Sequence, residues 1–445
     1  LRHTGDKGAI QTKTKGETED GMSDQPEGYV TLQEAKDLYA DSTGVPALNR
    51  ALQGLYAPGS TFKAVSIIAA KDAGYSLQAS YACPANVEVG TRVFNNFESK
   101  AQGTLSMKKA LAVSCDTIWY RIAFDEWLRD GGLKPKSNAN DYFFKAAARF
   151  QMGEKTGVDL PSESKGRLAD RNWRKAWYEQ NKDFYCNYQK RATKAQQTPF
   201  LVQLAKENCI DGDKVRAGDA VNFTIGQGDT VITPIKLAQM YAAIANGGTI
   251  WKPFVAKAVI SNNGKVIKRY EPENLGSIDV DATTIAFLHD ALHEVTVSGT
   301  AAGAFAGFPV AVSGKTGTAQ VFGKNANGTL KSDTSWFASY APSDKPRFAV
   351  VMMVSQGGFG GPPPAAATPG KGAPLGTGVA APAASAAPTA APAAPAGQRR
   401  MAGPPAQKVA IQATSGSHDL YFVAVNPKAT EQQIVVQISG IEMKK

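Results

Sequence analysis

Residues 56–70 read Tyr56-Ala-Pro-Gly-Ser-Thr-Phe-Lys-Ala-Val-Ser-Ile-Ile-Ala-Ala70, which spells a turn running into a helix. Pro58 and Gly59 mark the turn, and the apolar run from Phe62 to Ala70, ending before Gly74, predicts a buried helix. Ser60 then stands at the helix N-terminus, and Lys63, three residues on, shares its face. A serine hydroxyl is a weak nucleophile until a base takes its proton, and a lysine is such a base only when burial or another cation lowers its pKa. The free amides of the first turn would also favour an oxyanion. Taken alone, the tetrad reads as an N-capping Ser60 with a solvated Lys63, so a catalytic meaning depends on what accompanies it along the chain.

The chain of 445 residues is long enough for one large domain with accessories, and a hydrophobic content of 43% supports a substantial core. The net charge of +10 is spread through the sequence, with no basic run interleaved with aromatics, which argues against a nucleic-acid partner. Such a surface suits water, anionic wall polymer or lipid headgroups. Cys83, Cys115, Cys186 and Cys209 have no metal-ligand spacing. Cys186 with Cys209 is the expected disulfide, and Cys115 reads as buried filler. His289 and His293 lie four apart but lack a third ligand, so packing is the reading for both. No cofactor is implied. No stretch approaches the roughly 20 apolar residues of a membrane span, so any anchor is expected upstream of residue 1.

Four segments follow from composition. Residues 1–41 read as a largely irregular N-terminal remnant, although Thr31-Leu-Gln-Glu34 has capping-box spacing and predicts a helix from Leu32 to Tyr39. Residues 42–356 form the main domain. Within it, Val87 to Phe97 suggests a hairpin around Gly90, and Thr104 to Trp127 a helix pair broken near Ser114. Gly153 to Arg167 is loop-rich, and Arg171 to Lys194 reads as surface helix. Thr233-Pro234 opens a helix that Asn246-Gly-Gly stops, and Asp281 to Val297 predicts another. Val310–Val321, Thr334–Tyr340 and Arg347–Ser355 read as consecutive strands of an antiparallel meander, with Trp336 and Phe337 as core filler. Residues 357–407 are Pro/Ala/Gly-rich and read as an extended linker, and 408–445 as a short β segment.

Ser114-Cys-Asp116 comes 54 residues after Ser60, and Lys315-Thr-Gly317 comes 201 residues after Ser114. Together they supply what acyl transfer through a serine needs. Ser60 and Lys63 give nucleophile and base, and Ser114 can pass a proton to a leaving amine. Lys315 on a strand edge can hold a carboxylate and lower the Lys63 pKa by like-charge repulsion. Gly317 lets a substrate backbone approach the strand. Gly226-Gln227-Gly228 reads as a loop near the cleft rather than a phosphate cradle, since no Walker pattern accompanies it.

With these motifs the chain resembles the serine penicillin-recognising enzymes. Leu48 to Lys63, Ser114 to Thr117, Thr156 to Pro161, Ile225 to Asp229 with Thr233-Pro234, Gly299 to Ala301 and Gly314 to Gln320 look like a class B penicillin-binding protein, most like the actinobacterial type of penicillin-binding protein 2. The resemblance covers about residues 42–356. It implies the α/β fold shared by serine β-lactamases and penicillin-binding transpeptidases, a helical subdomain plus a five-stranded antiparallel sheet. It also implies D,D-transpeptidase activity in cell-wall elongation and an extracytoplasmic place in the cell envelope. Carried over by position, Ser60 would be acylated by the penultimate D-Ala of a peptidoglycan stem peptide, Lys63 would be the base and Ser114 the proton relay. Asp116 would occupy a slot where Asn is commoner. Lys315 and Thr316 would bind the terminal carboxylate, Gly317 and Thr318 would line the substrate strand, and the amides of Ser60 and Thr318 would form the oxyanion hole. β-Lactams would acylate the same serine, and a SEDS-type glycan polymerase is the implied partner.

The sheet is expected to lack its N-terminal strands, since nothing between Leu1 and Leu48 fits them. A C-terminal helix should follow the last strand, but the linker begins there. Gly416-Ser-His-Asp-Leu-Tyr421 faintly resembles the closing strands of carbohydrate-binding sandwiches; the segment could equally replace a missing strand. Two alternatives remain: a serine β-lactamase, although no Glu is placed by a recognisable motif to hydrolyse an acyl-enzyme, and a catalytically decayed wall-binding scaffold.

Overall fold

Strands β9 (Ser313–Ala319), β10 (Thr334–Ala341) and β11 (Phe348–Val354) form the antiparallel meander that the three apolar runs predict, in the order β11-β10-β9. The computed structural model describes residues 49–194, 197–261, 263–321, 330–355, 357–358 and 441–442. The helix expected over 32–39 and the Gly416–Tyr421 stretch lie outside them. Ile441–Glu442 forms β12, which pairs antiparallel with Phe348 and Ala349 of β11, so the described sheet has four strands rather than the five the resemblance implies.

Ahead of the sheet, a single 3-10 turn over Gly59–Phe62 leads into α1 (Lys63–Asp72), and every side chain from Lys63 to Ala70 is buried. Two small ribbons follow: β1 (Ser80–Cys83) pairs with β4 (Gly103–Ser106), and β2 (Asn86–Val89) with β3 (Arg92–Asn95) across Gly90. The helix pair begins later than Thr104, because residues 103–106 pair with β1 and Ser106 is the N-cap of α2 (Met107–Ala112). Helix α3 (Thr117–Arg129) resumes after the break at Ser114. Then come α4 (Tyr142–Arg149), α5 (Arg171–Cys186), α6 (Tyr188–Arg191), α7 (Pro199–Asp211) and α8 (Ala217–Thr224). Cys186 and Cys209 form the expected disulfide, which clips α5 to α7.

Helix α9 (Pro234–Ala245) has Thr233 as its N-cap, the Thr233 hydroxyl accepting from the Lys236 amide, and Pro234 at the first position. All its residues are buried because it packs against β10, β11, residues 249–251 and the helix over residues 282–297. Two short ribbons, β5 (Thr249–Trp251) with β8 (Asn274–Ser277) and β6 (Ala258–Ile260) with β7 (Val266–Arg269), precede α10 (Ala282–Val297). Asp281 caps α10 by accepting from the Thr284 amide, and the helix packs on β9 and α2; the short α11 (Ala302–Phe305) follows. His289 and His293 each meet a backbone carbonyl, those of Ile244 and Val312, in keeping with packing roles. Trp336 is buried; Phe337 is half-buried on the other face of β10 against Phe305.

Candidate active site

The turn that carries Ser60 is gripped from four sides. Tyr56 exchanges two backbone hydrogen bonds with Ile232, and the Gly59 amide donates to Gly226 O at 2.9 Å. The Tyr241 hydroxyl donates to Thr61 O at 2.9 Å, and Trp336 Nε1 donates to Ala57 O at 3.0 Å. Trp336 is therefore more than core filler: it ties the middle strand to the Ser60 turn. The turn lies directly on β9. A Cβ on Gly59, whose φ is +55°, would sit 2.6 Å from Thr318 O, and one on Gly317 would sit 2.9 Å from Thr61 Cγ2 and 3.1 Å from Pro58 O. Glycine at 317 thus makes room for the nucleophile turn itself, a nearer reason for it than substrate approach. In a 3-10 turn residues three apart eclipse, which aligns half-exposed Ser60 with Lys63.

Lys63 is fully buried, and its amine donates to Ser114 O at 2.8 Å, Ser114 Oγ at 3.1 Å and Asp116 Oδ1 at 2.5 Å. Three acceptors match the three protons of an ammonium. Among the described residues the Ser60 hydroxyl has no hydrogen-bond partner. Burial pushes the Lys63 pKa down, and the Asp116 carboxylate pulls it part of the way back.

Lys315 is also fully buried and donates to Thr316 O at 2.9 Å and Thr316 Oγ1 at 3.3 Å. Burial holds it well below the ordinary lysine range, the charge of Lys63 lowers it further, and Asp116 opposes both. Lys63 has a carboxylate partner and Lys315 has only neutral oxygens, and the two buried amines disfavour each other's charge. The Thr316 hydroxyl meets that of Thr300 at 2.6 Å, while the Thr300 amide donates to Ala112 O at 3.0 Å, two residues before Ser114. Gln227 Nε2 donates to Thr318 O at 3.2 Å, which puts the 226–228 loop beside the site.

Sequence alone gave no role to three contributors. Thr300 lies within a motif quoted for the family but without an assigned task. Asn96 is buried, and its Oδ1 accepts from the Asp116 amide at 3.0 Å. Cys115 is not free filler: it forms a disulfide with Cys83 at the end of β1. The even cysteine count permitted that pairing, but a spacing of 32 residues does not reveal it.

Residues 14–369 match the family model described as the penicillin binding protein transpeptidase domain. Peptidoglycan D,D-transpeptidase MrdA of Acinetobacter baumannii is 27% identical over 365 residues, covering 76% of this chain and 45% of that protein. MrdA of Escherichia coli is 25% identical over 355 residues, covering 75% and 48% respectively. The chain spans about half the length of these curated relatives. The structure of Pseudomonas aeruginosa PBP2 in complex with WCK 5153 superposes with a TM-score of 0.55 at 25% identity, covering 75% of this chain and 63% of that one.

Proposed function

The chain belongs to the penicillin-binding protein transpeptidase domain family, and from that premise we propose that it is a class B peptidoglycan D,D-transpeptidase acting through a Ser60 acyl-enzyme. The observation that carries this reading is the meeting of Lys63 with Ser114 and Asp116 beneath the Ser60 turn, while β9 brings Lys315 and Thr316 to the same place.

In the mechanism this supports, the Lys63 ammonium first loses one proton to solvent, and the free amine then accepts the Ser60 proton as Oγ attacks the carbonyl of the penultimate D-Ala. The amides of Ser60 and Thr318 hold the developing oxyanion; one such donor contributes about 3 kcal/mol in comparable sites. Ser114, already bonded to Lys63, hands the proton to the departing D-Ala amine. Lys315 and Thr316 bind the terminal carboxylate, and the arriving anion favours the charged form of Lys315 that burial disfavours. A second stem peptide's amine resolves the acyl-enzyme into a cross-link.

Among the described residues no helix is long and apolar enough to cross a membrane. The two disulfides support an extracytoplasmic setting, where such bonds persist. The work in elongation, the likeness to the actinobacterial type and the SEDS-type polymerase partner belong to the same proposal. So do the boundaries at 41, 356 and 407. Incubation with nitrocefin and with a D-Ala-D-Ala stem peptide tests the activity. A transpeptidase gives one stoichiometric acylation by nitrocefin and releases D-Ala from the peptide in the presence of an acceptor amine. Sustained nitrocefin turnover would identify a β-lactamase instead.

A further inference from the structure

We propose that the Cys83–Cys115 disulfide is a positioning device for the proton relay, holding Ser114 and Asp116 against Lys63 by tying the turn between α2 and α3 to the ribbon β1–β4. This rests on the acyl-enzyme reading above. Ser114 has φ +61° and occupies the left-handed position after a helix C-terminus, where glycine is the usual residue. The turn is closed by the Ser114 amide donating to Leu111 O at 3.1 Å and the Cys115 amide donating to Ala110 O at 2.9 Å. These are the two bonds of a Schellman motif, with a serine where a side chain is disfavoured. A serine in that slot needs outside support to keep its conformation.

The support comes from residues 83–96, and it falls on the three residues that follow Ser114. Cys115, 1% exposed, is bonded through sulfur to Cys83, 0% exposed. Asn96 Oδ1 accepts from the Asp116 amide at 3.0 Å, and Asn96 Nδ2 donates to Lys100 O at 2.7 Å. The Thr117 hydroxyl donates to Pro84 O at 2.9 Å. Of these grips only the disulfide is covalent, and it lies between the two residues that meet Lys63. Two-stranded ribbons are marginal on their own, so the hydrogen bonds depend on the cross-link to keep β1 and its neighbours seated. Without it, Ser114 is free to leave the left-handed conformation, and its hydroxyl then leaves the Lys63 amine. The second disulfide, between α5 and α7, touches neither relay residue and serves as an internal control.

The test is the acylation rate of the full chain with a fluorescent penicillin. Cys83→Ala/Cys115→Ala should lower the maximal acylation rate constant by about tenfold or more, and leave the half-saturating concentration within about threefold because Lys315 and Thr316 are untouched. Cys186→Ala/Cys209→Ala should stay within about twofold on both. A disulfide that only stabilises the fold would lower the labelled fraction without slowing the folded molecules, and equal rates in the folded Cys83→Ala/Cys115→Ala protein would overturn the proposal. If that variant fails to fold, the native chain is equilibrated with a graded series of thiol/disulfide buffers and each cystine counted by mass tagging. An acylation rate constant that falls as Cys83–Cys115 opens, among molecules whose tryptophan fluorescence stays native, supports the positioning role, whereas a rate constant that persists in them after it opens refutes it. Wild-type protein that takes no penicillin at all would refute the acyl-enzyme reading instead.

Discussion

The Asp116 carboxylate lies 2.5 Å from the Lys63 amine and favours its charged form, which burial disfavours; in the proposed mechanism the amine is neutral when it accepts the Ser60 proton. Asp116→Asn removes that charge and lowers the Lys63 pKa further. The rising limb of acylation rate against pH should therefore move down by about one unit or more, a shift typical of losing a close opposite charge. Rates measured from pH 5 to 9 check this, and an unmoved or raised limb would contradict it. The sequence named all eight motif residues because each is a chemical type at a recognisable spacing. It did not name Asn96 or Thr300, which work by presenting an oxygen to a residue 20 or 16 positions away. Nor could it tell which lysine has the carboxylate partner, since Lys63 and Lys315 look alike until their neighbours are known.

At the level of elements, the site exists because the Gly59–Phe62 turn presses on β9. Gly59→Ala would place a methyl 2.6 Å from Thr318 O on a residue with φ +55°. The turn or the strand then shifts, and acylation should fall by about a hundredfold, the scale of an ångström-sized misplacement; a variant that labels at the wild-type rate would show that this contact is dispensable. Helix α9 offers a stability test. Lys236 is buried in it, donating to Gln239 Oε1 at 2.7 Å, and burial lowers its pKa from 10.5 to about 8. Between these values the unfolded chain holds more protons than the folded one, so this residue adds stability as pH rises, up to about 3 kcal/mol. Lys236→Met should flatten that rise in urea unfolding between pH 8 and 10.5; an unchanged slope would contradict the assignment. The ends of α9 and α10 were legible from Thr233-Pro234, Asn246-Gly-Gly and Asp281. The start of α2 was not, because residues 103–106 take their strand conformation from pairing with β1, a partner 20 to 26 residues away. The burial of Lys236 was equally hidden, since a lysine on a helix ordinarily faces water.

Across the whole molecule, the three motifs lie far apart in sequence, and the core brings them together. Helix α1 carries Lys63, the α2–α3 turn carries Ser114 and Asp116, and β9 carries Lys315, with α10 packed on both α2 and β9. The fold class was legible because these pieces recur as a set, and the three-strand meander because its apolar runs are consecutive. The pairing of Ile441–Glu442 with β11 was left open by sequence, since two residues of backbone pairing carry no side-chain pattern. Every group assigned to the chemistry lies between residues 56 and 319, so a chain ending after Gly358 should label with penicillin within about twofold of the full-length rate. Loss of labelling on that truncation would give β12 a part in supporting the site. The central claim is that Ser60 is the acylated nucleophile, and mass spectrometry after incubation with benzylpenicillin tests it most directly. The expected result is one adduct per chain, mapped to the peptide containing Ser60 and absent from a folded Ser60→Ala protein. An unmodified folded wild type, or an adduct on any other residue, would contradict it.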